Sequence, residues 1–220
     1  MIMERIICLI VGYLVGAVLQ TGYWYGKINH VDIREFGSGN AGTTNVARKF
    51  GKKAGAVTYI VDAFKAVIAA VIVHFIFGNK ADNEILLFLY SGLGIVLGHN
   101  FPFYLNFKGG KGIAATSGVV ISLALFPTNL WILTVAGVLT FLIIVFTTKY
   151  VSLGSLIAVS AFFIEFVIFG FAGWLPVTGR VMYECFAVIF VIVVLAFVRH
   201  RGNISRLIHG TERKIGQKKA

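Results

Sequence analysis

Apolar stretches long enough to cross a lipid bilayer recur from one end of this 220-residue chain to the other. Inside hydrocarbon every backbone N–H and C=O must find a partner within the protein, and a helix satisfies them within one segment. Seven candidate spans are legible, at roughly 5–26, 56–77, 85–105, 113–126, 129–148, 151–171 and 180–198. The expectation is an all-α integral membrane protein with seven transmembrane helices, forming a single polytopic membrane domain over 1–220. Composition agrees, because 58% hydrophobic and 13% charged residues do not describe an ordinary soluble domain. The first run is too long and too weakly basic at its start for a cleaved signal peptide. Cys8 and Cys185 both fall inside spans, where they read as small packing residues, and imply no disulfide framework. Segment 113–126 is the short one: as a helix it rises only about 21 Å against a core of about 30 Å. A re-entrant hairpin there would leave six crossings.

Charge decides between those topologies. If the first span runs outside to inside, alternation groups 27–55, 106–112, Lys149 and the tail from Arg199 on one side, with 16 of the 20 Lys and Arg residues. The other side keeps Arg5, Lys80 and Arg180, alongside Glu4, Asp82, Glu84 and Glu184. The basic side is assigned to the cytoplasm, with the N-terminus outside and the C-terminus cytoplasmic. Six crossings would export the basic tail, so seven is the reading.

Three cytoplasmic segments, 27–55, 98–112 and 199–214, carry more than solvating charge. In GSGNAGTTNVARKFGKKAG, Gly37 to Gly55, Ser38, Asn40, Thr43, Thr44 and Asn45 offer hydroxyls and amides ahead of Arg48. A helix beginning near Asn45 would turn its first N–H groups toward that polar turn, an arrangement that favours phosphate. A generic basic loop would be explained by anionic headgroups alone; the density of Gly, Ser, Asn and Thr goes further. Asp62 and Lys65, three apart on one face within the second span, read either as a structural ion pair or as part of a polar cavity. In GHNFPFYLNFKGGKG, Gly98 to Gly112, His99 precedes a run in which Lys108 and Lys111 flank Gly109 and Gly110, before Gly112. Glycine lets backbone N–H groups face an anion, and lysine adds formal charge. In RHRGNISRLIHGTERK, Arg199 to Lys214, His200, Asn203 and Arg206 share a helical face, and Glu212 reads as a salt-bridge partner.

Other chemistries are excluded by what is missing. GSGNAG matches G-x-G-x-x-G without a βαβ context, and Lys111 is followed by Gly112 where a phosphate-binding P-loop needs Ser or Thr. There is no G-x-S-x-G nucleophile elbow and no His spacing suited to a metal. No histidine has an aspartate five positions on, the arrangement of thioester-using glycerolipid acyltransferases.

Together the clusters resemble the bacterial acyl-phosphate:glycerol-3-phosphate acyltransferases, the PlsY family. Gly37 to Lys65 is similar to GSGNxGxTNxxRxxGxKxGxxxxxxDxxK, Gly98 to Gly112 to GHxxPxxxxFKGGKG, and His200 to Glu212 to HRxNIxRLxxGxE. Tyr150 to Leu156, YVSLGSL, resembles the family's start of the sixth span and brings in Ser152. Two departures stand out: Ala66 where glycine is usual, and Ala115–Thr116 where many members have Thr then Ala or Ser. The resemblance implies transfer of a fatty acyl group from acyl phosphate to the sn-1 hydroxyl of glycerol 3-phosphate, in a bacterial cell membrane with the site facing the cytoplasm. It implies Ser38, Arg48, His99, His200 and Asn203 as catalytic. Asn40, Thr44, Asn45, Lys108, Gly109, Gly110, Lys111, Gly112, Ser152 and Arg206 would bind substrate, with Asp62, Lys65 and Glu212 as structural polar groups. Within this scheme Ser38, Asn40, Asn45 and Arg48 hold one phosphate, the FKGGKG loop holds glycerol phosphate, and His200 and Asn203 close the site from the tail. No metal, cofactor or nucleic acid is implied, membrane lipid is the surrounding partner, and oligomeric state is left open. An acyl phosphate is already activated, so no covalent intermediate is required; the proton acceptor is His99, His200 or the substrate's own phosphate. The rival class is a transporter or flippase for a phosphorylated anion, which intramembrane Asp62 and Lys65 would suit.

Overall fold

A computed structural model describes residues 2–78, 83–124 and 130–217, and all regular structure among them is helical. Helices α1 (Ile2–Val18), α2 (Thr21–Ile28), α3 (Thr43–Phe50), α4 (Lys52–Phe77), α5 (Glu84–Asn100) and α6 (Ile113–Leu123) are followed by α7 (Trp131–Thr148), α8 (Val151–Phe171), α9 (Gly179–Arg199) and α10 (Arg201–Ile208). Single 3-10 turns lie at Ile33–Glu35 and Phe103–Leu105. Six helical stretches are long and apolar enough to cross a membrane: Ile2–Ile28, Lys52–Phe77, Glu84–Leu105, Trp131–Thr148, Val151–Phe171 and Gly179–Arg199. The protein is therefore a multi-pass membrane protein. The expected fourth span is shorter than 113–126: α6 has 11 residues, and 125–126 lie outside the described residues. The first apolar run is also not one rod, since it breaks at Leu19–Gln20 between α1 and α2.

The chain forms two compact units, Met1–Ser122 and Leu123–Ala220. In the first, α1 lies directly against α5 because each presents glycines four apart, Gly12 and Gly16 facing Gly94 and Gly98. A Cβ on Gly12 would run into the Ser91 carbonyl oxygen, one on Gly16 into that of Ile95, and ones on Gly94 and Gly98 into those of Leu9 and Tyr13. With no hydrophobic drive between helices in lipid, such backbone-to-backbone approach is how dispersion contact is gained. The opposite ridge of α1, with Ile2, Ile6, Ile10, Leu14 and Val18, stays exposed, as a lipid-facing surface must be. Gly118 of α6 sits against the Ala63 carbonyl of α4, and a Cβ on Gly55 would stand 2.5 Å from that of Ala47, which fixes α3 on α4.

The second unit packs α8 between α7 and α9. A Cβ on Gly154 would lie 2.5 Å from Val145 Cγ2, and one on Gly170 would lie 2.5 Å from Phe186 Cζ. Phe166 and Phe186 meet edge to face with centroids 6.1 Å apart, a favoured aromatic geometry. After α9 the chain turns at His200 straight into α10, so the basic tail segment begins as a helix against the same unit.

Candidate active site

The first polar segment is shaped before it can bind anything. Asp32 Oδ1 accepts from the Arg34 N–H and from Arg34 Nε, both at 3.0 Å, and Oδ2 accepts from Nη2 at 2.7 Å. The hydrogen bonds from the Arg34 guanidinium hold the Asp32 carboxyl below the usual carboxylate range, against a smaller opposing effect of burial. Arg34 Nη1 also donates to the Leu105 carbonyl at 3.2 Å, tying this segment to the one that follows α5. Asn45 is 1% exposed and spends its amide on the loop. Its Nδ2 donates to the Ile33 and Phe36 carbonyls at 2.9 and 2.8 Å, and its Oδ1 accepts from the Ser38 N–H at 3.1 Å. Gly37 turns over that amide at φ +60°, where a Cβ would collide with Asn45 Oδ1. The outcome is a surface on which Ser38, Thr44 and Arg48 are exposed and Asn40 donates to the Ser38 carbonyl at 2.9 Å. Helix α3 begins at Gly42 without a side-chain cap.

Beneath that surface lies a buried polar knot where α1 ends and α4 and α5 pass. Lys65 is wholly buried, and its Nζ donates to Asp62 Oδ1 at 3.1 Å and to the Leu19 carbonyl at 3.0 Å, with His99 Nδ1 at 2.7 Å. Asp62 Oδ1 also accepts from Thr21 Oγ1 at 3.1 Å, whereas His99 Nδ1 stands 3.8 Å away, too far for a hydrogen bond. A charge removed from water is tolerated only with such company. Gln20, 0% exposed, joins the knot by donating from Nε2 to the carbonyls of Gly16, Gly98 and His99 at 3.1, 3.2 and 3.1 Å.

The FKGGKG loop folds back over the end of α5. Its glycine N–H groups, expected to face an anion, turn inward: Gly110 N donates to the His99 carbonyl at 3.0 Å and Gly109 N to that of Asn100 at 3.1 Å. They thereby satisfy carbonyls left open at the helix terminus. Glycine is required there for closeness, because a Cβ on Gly109 would strike the His99 carbonyl and one on Gly110 would strike His99 Nε2. Gly112 has φ +83°, and a Cβ there would lie 2.8 Å from Asn100 Oδ1. Lys108 is exposed and Lys111 half-buried on either side of the diglycine.

In the second unit Glu212 is the hub. Its Oε1 accepts from Asn203 Nδ2 at 2.6 Å and Ser152 Oγ at 2.8 Å, and its Oε2 from Arg206 Nε at 2.7 Å. Burial pushes the Glu212 carboxyl up, but the bonds from Asn203, Ser152 and Arg206 together outweigh it and leave the group below its ordinary value. His200, 3% exposed, has Nδ1 2.8 Å from the Ala196 carbonyl; an oxygen that only accepts requires the proton on Nδ1. Ser152, Asn203, Arg206 and Glu212, read separately from sequence, are thus one network.

Gln20, Thr21 and Asn100 escaped the sequence reading. The signal for the first two was present, since adjacent polar residues interrupt an apolar run. Asn100, 0% exposed with no hydrogen-bond partner for either amide atom among the described residues, lay hidden beside the more conspicuous His99.

The family model described as glycerol-3-phosphate acyltransferase matches residues 6–210. The glycerol-3-phosphate acyltransferase of Clostridioides difficile (strain 630) is 39% identical over 99% of this chain and 98% of its own. That of Thermoanaerobacter sp. (strain X514) is 37% identical over 98% of each. Among solved structures, the integral membrane glycerol 3-phosphate acyltransferase PlsY in its glycerol 3-phosphate form superposes with a TM-score of 0.78 at 34% identity, covering 96% of both chains. Its lysophosphatidic acid form gives 0.77 at 33%, covering 96% of this chain and 95% of that one. With near-complete coverage by both sequence and structure, the chain belongs to the glycerol-3-phosphate acyltransferase family.

Proposed function

We propose that this acyltransferase takes its acyl group from an acyl phosphate and delivers it to the sn-1 hydroxyl of glycerol 3-phosphate. The hydroxyl oxygen attacks the acyl carbonyl carbon, the bond from that carbon to the phosphate oxygen breaks, and phosphate leaves with the electron pair. The products are lysophosphatidic acid and phosphate. The observation carrying this reading is the exposed Ser38–Thr44–Arg48 surface at the same end of the first unit as Lys108 and Lys111. Two anions that repel one another need cationic and hydrogen-bonding seats, and a mixed anhydride needs no protein nucleophile. The solved relative in glycerol 3-phosphate and lysophosphatidic acid forms supports the acceptor and product.

Ser38, Asn40 and Arg48 hold one phosphate, on a loop that Asn45 shapes; Lys108 and Lys111 hold the other, that of glycerol phosphate. His200, Asn203, Arg206 and Ser152 are assigned to the same reaction on the family-like motifs that carry them. The hydroxyl proton passes to the departing phosphate. His99 supports this route, because its Nδ1 accepts from Lys65 and its own proton then sits on Nε2, leaving that ring a donor.

The chain works as one polytopic domain of a bacterial cell membrane, with seven crossings, a cytoplasmic C-terminus and the site facing the cytoplasm. Purified protein in detergent is supplied with glycerol 3-phosphate and palmitoyl phosphate, palmitoyl-CoA or palmitoyl-carrier protein. Lysophosphatidic acid and phosphate are expected with palmitoyl phosphate alone. Turnover with a thioester overturns the donor, and folded protein inactive with every donor returns the transport reading.

A further inference from the structure

His99 is gripped on both its ring and its main chain. The ring is held at Nδ1, 2.7 Å from Lys65 Nζ, and the carbonyl accepts from Gln20 Nε2 at 3.1 Å and from the Gly110 N–H at 3.0 Å. Lys65 Nζ has four acceptors within reach: Asp62 Oδ1 at 3.1 Å, the Leu19 carbonyl at 3.0 Å, His99 Nδ1 at 2.7 Å and, longest, the Gly16 carbonyl at 3.5 Å. An ammonium only donates, and its shortest contact is Nδ1, so Nδ1 accepts and the imidazole keeps its own proton on Nε2. That Nε2 edge is where Gly110 crosses, so closely that no Cβ fits between them. A ring turned over or a carbonyl displaced would push on the Gly109–Gly110 backbone, and with it on Lys108 and Lys111.

We propose that Lys65 and Gln20 are positioning residues for the acceptor substrate: through His99 they set the Gly109–Gly110 turn and hence where Lys108 and Lys111 stand. This rests on the reading of the FKGGKG loop as the glycerol-phosphate seat. Neither residue meets a reacting atom. Lys65 is 0% exposed and Gln20 is 0% exposed, and both act outward through one histidine. A surface lysine can bind an anion in many poses, whereas a lysine on a turn braced from beneath binds it in one.

Removing Lys65 alone would strand the Asp62 carboxylate, so the test uses the charge-neutral pair Asp62→Asn with Lys65→Met, and separately Gln20→Met. Steady-state kinetics are run with each substrate varied, on protein whose unfolding temperature is measured in the same detergent. The expected result is a rise in KM for glycerol 3-phosphate of about ten-fold or more, with KM for palmitoyl phosphate within about two-fold of the parent. Nitrogen-15 spectra of histidine-labelled parent protein should show His99 as the Nε2–H tautomer, and the Asp62→Asn, Lys65→Met protein should lose that single signature. An unchanged KM for both substrates overturns the coupling while leaving the proposed reaction intact. A rise confined to palmitoyl phosphate overturns the proposal at its other support, the loop's ligand. A parent spectrum with the proton on Nδ1 overturns the geometry itself.

Discussion

Glu212 and Lys108 show how differently two charged residues of this protein act. Glu212 receives three side-chain donors and is 9% exposed, so it is a fastener whose value depends on being ionised. Its carboxyl is lowered in the folded protein, which therefore binds fewer protons there than the unfolded chain does. The contribution is complete above the unfolded value of about 4.3 and drains as pH falls through the folded one. Thermal unfolding of the parent should thus show an added acid loss below about pH 4.3 that Glu212→Gln lacks, the variant being the less stable of the two at pH 7. Equal acid limbs would refute the sign. Lys108 holds its place through the main chain, whose N–H donates to the Leu105 carbonyl at 3.1 Å, and leaves its side chain exposed at the loop. Its replacement by alanine should raise KM for glycerol 3-phosphate about ten-fold and leave kcat within about two-fold, the pattern of lost binding that is equal in ground and transition states. Arg48→Ala, at the position proposed to hold the reacting phosphate, should instead abolish turnover; ordinary activity in that variant would remove Arg48 from the site.

Helices here are positioned by what they lack. The α1–α5 seam brings Gly12 and Gly16 onto Gly94 and Gly98, and it delivers the ends of both helices to the knot around Lys65. A side chain at Gly94 would meet the Leu9 carbonyl, a backbone atom that cannot rotate away. Gly94→Leu should therefore lower stability by about 1–3 kcal/mol or more and reduce activity, because the displaced helix carries His99. Gly137, whose Cβ would meet nothing within 4 Å, is the control: Gly137→Ala should leave both unchanged. A Gly94→Leu protein with parental unfolding temperature and turnover would show that the seam does not transmit to the site. Apolar run length made six of the helical spans legible beforehand, and residue type made Arg48, His99 and Lys108 conspicuous. Two things were not legible. Asn45 offers the same amide whether it binds phosphate or locks a turn, and only its partners Ile33, Phe36 and Ser38 distinguish these. Gln20 binds backbone carbonyls, which carry no residue identity for a pattern to find.

The topology of the whole chain turns on its shortest apolar helix. Eleven residues of α6 rise about 16 Å, roughly half a hydrocarbon core, so length alone would make it a hairpin arm. Charge argues the other way. If α6 with its flanking chain crosses, segment 27–55 and the tail from Arg199 share one side; if it returns, they lie on opposite sides and the basic tail is exported. The discriminating positions are Lys49, Thr178 and His209, all exposed and outside the spanning helices. The native thiols Cys8 and Cys185 are 0% exposed and should add little background. In intact cells a membrane-impermeant maleimide should label Thr178→Cys and spare Lys49→Cys and His209→Cys, both of which react once the membrane is opened. Labelling of His209→Cys but not Lys49→Cys in intact cells would make α6 re-entrant.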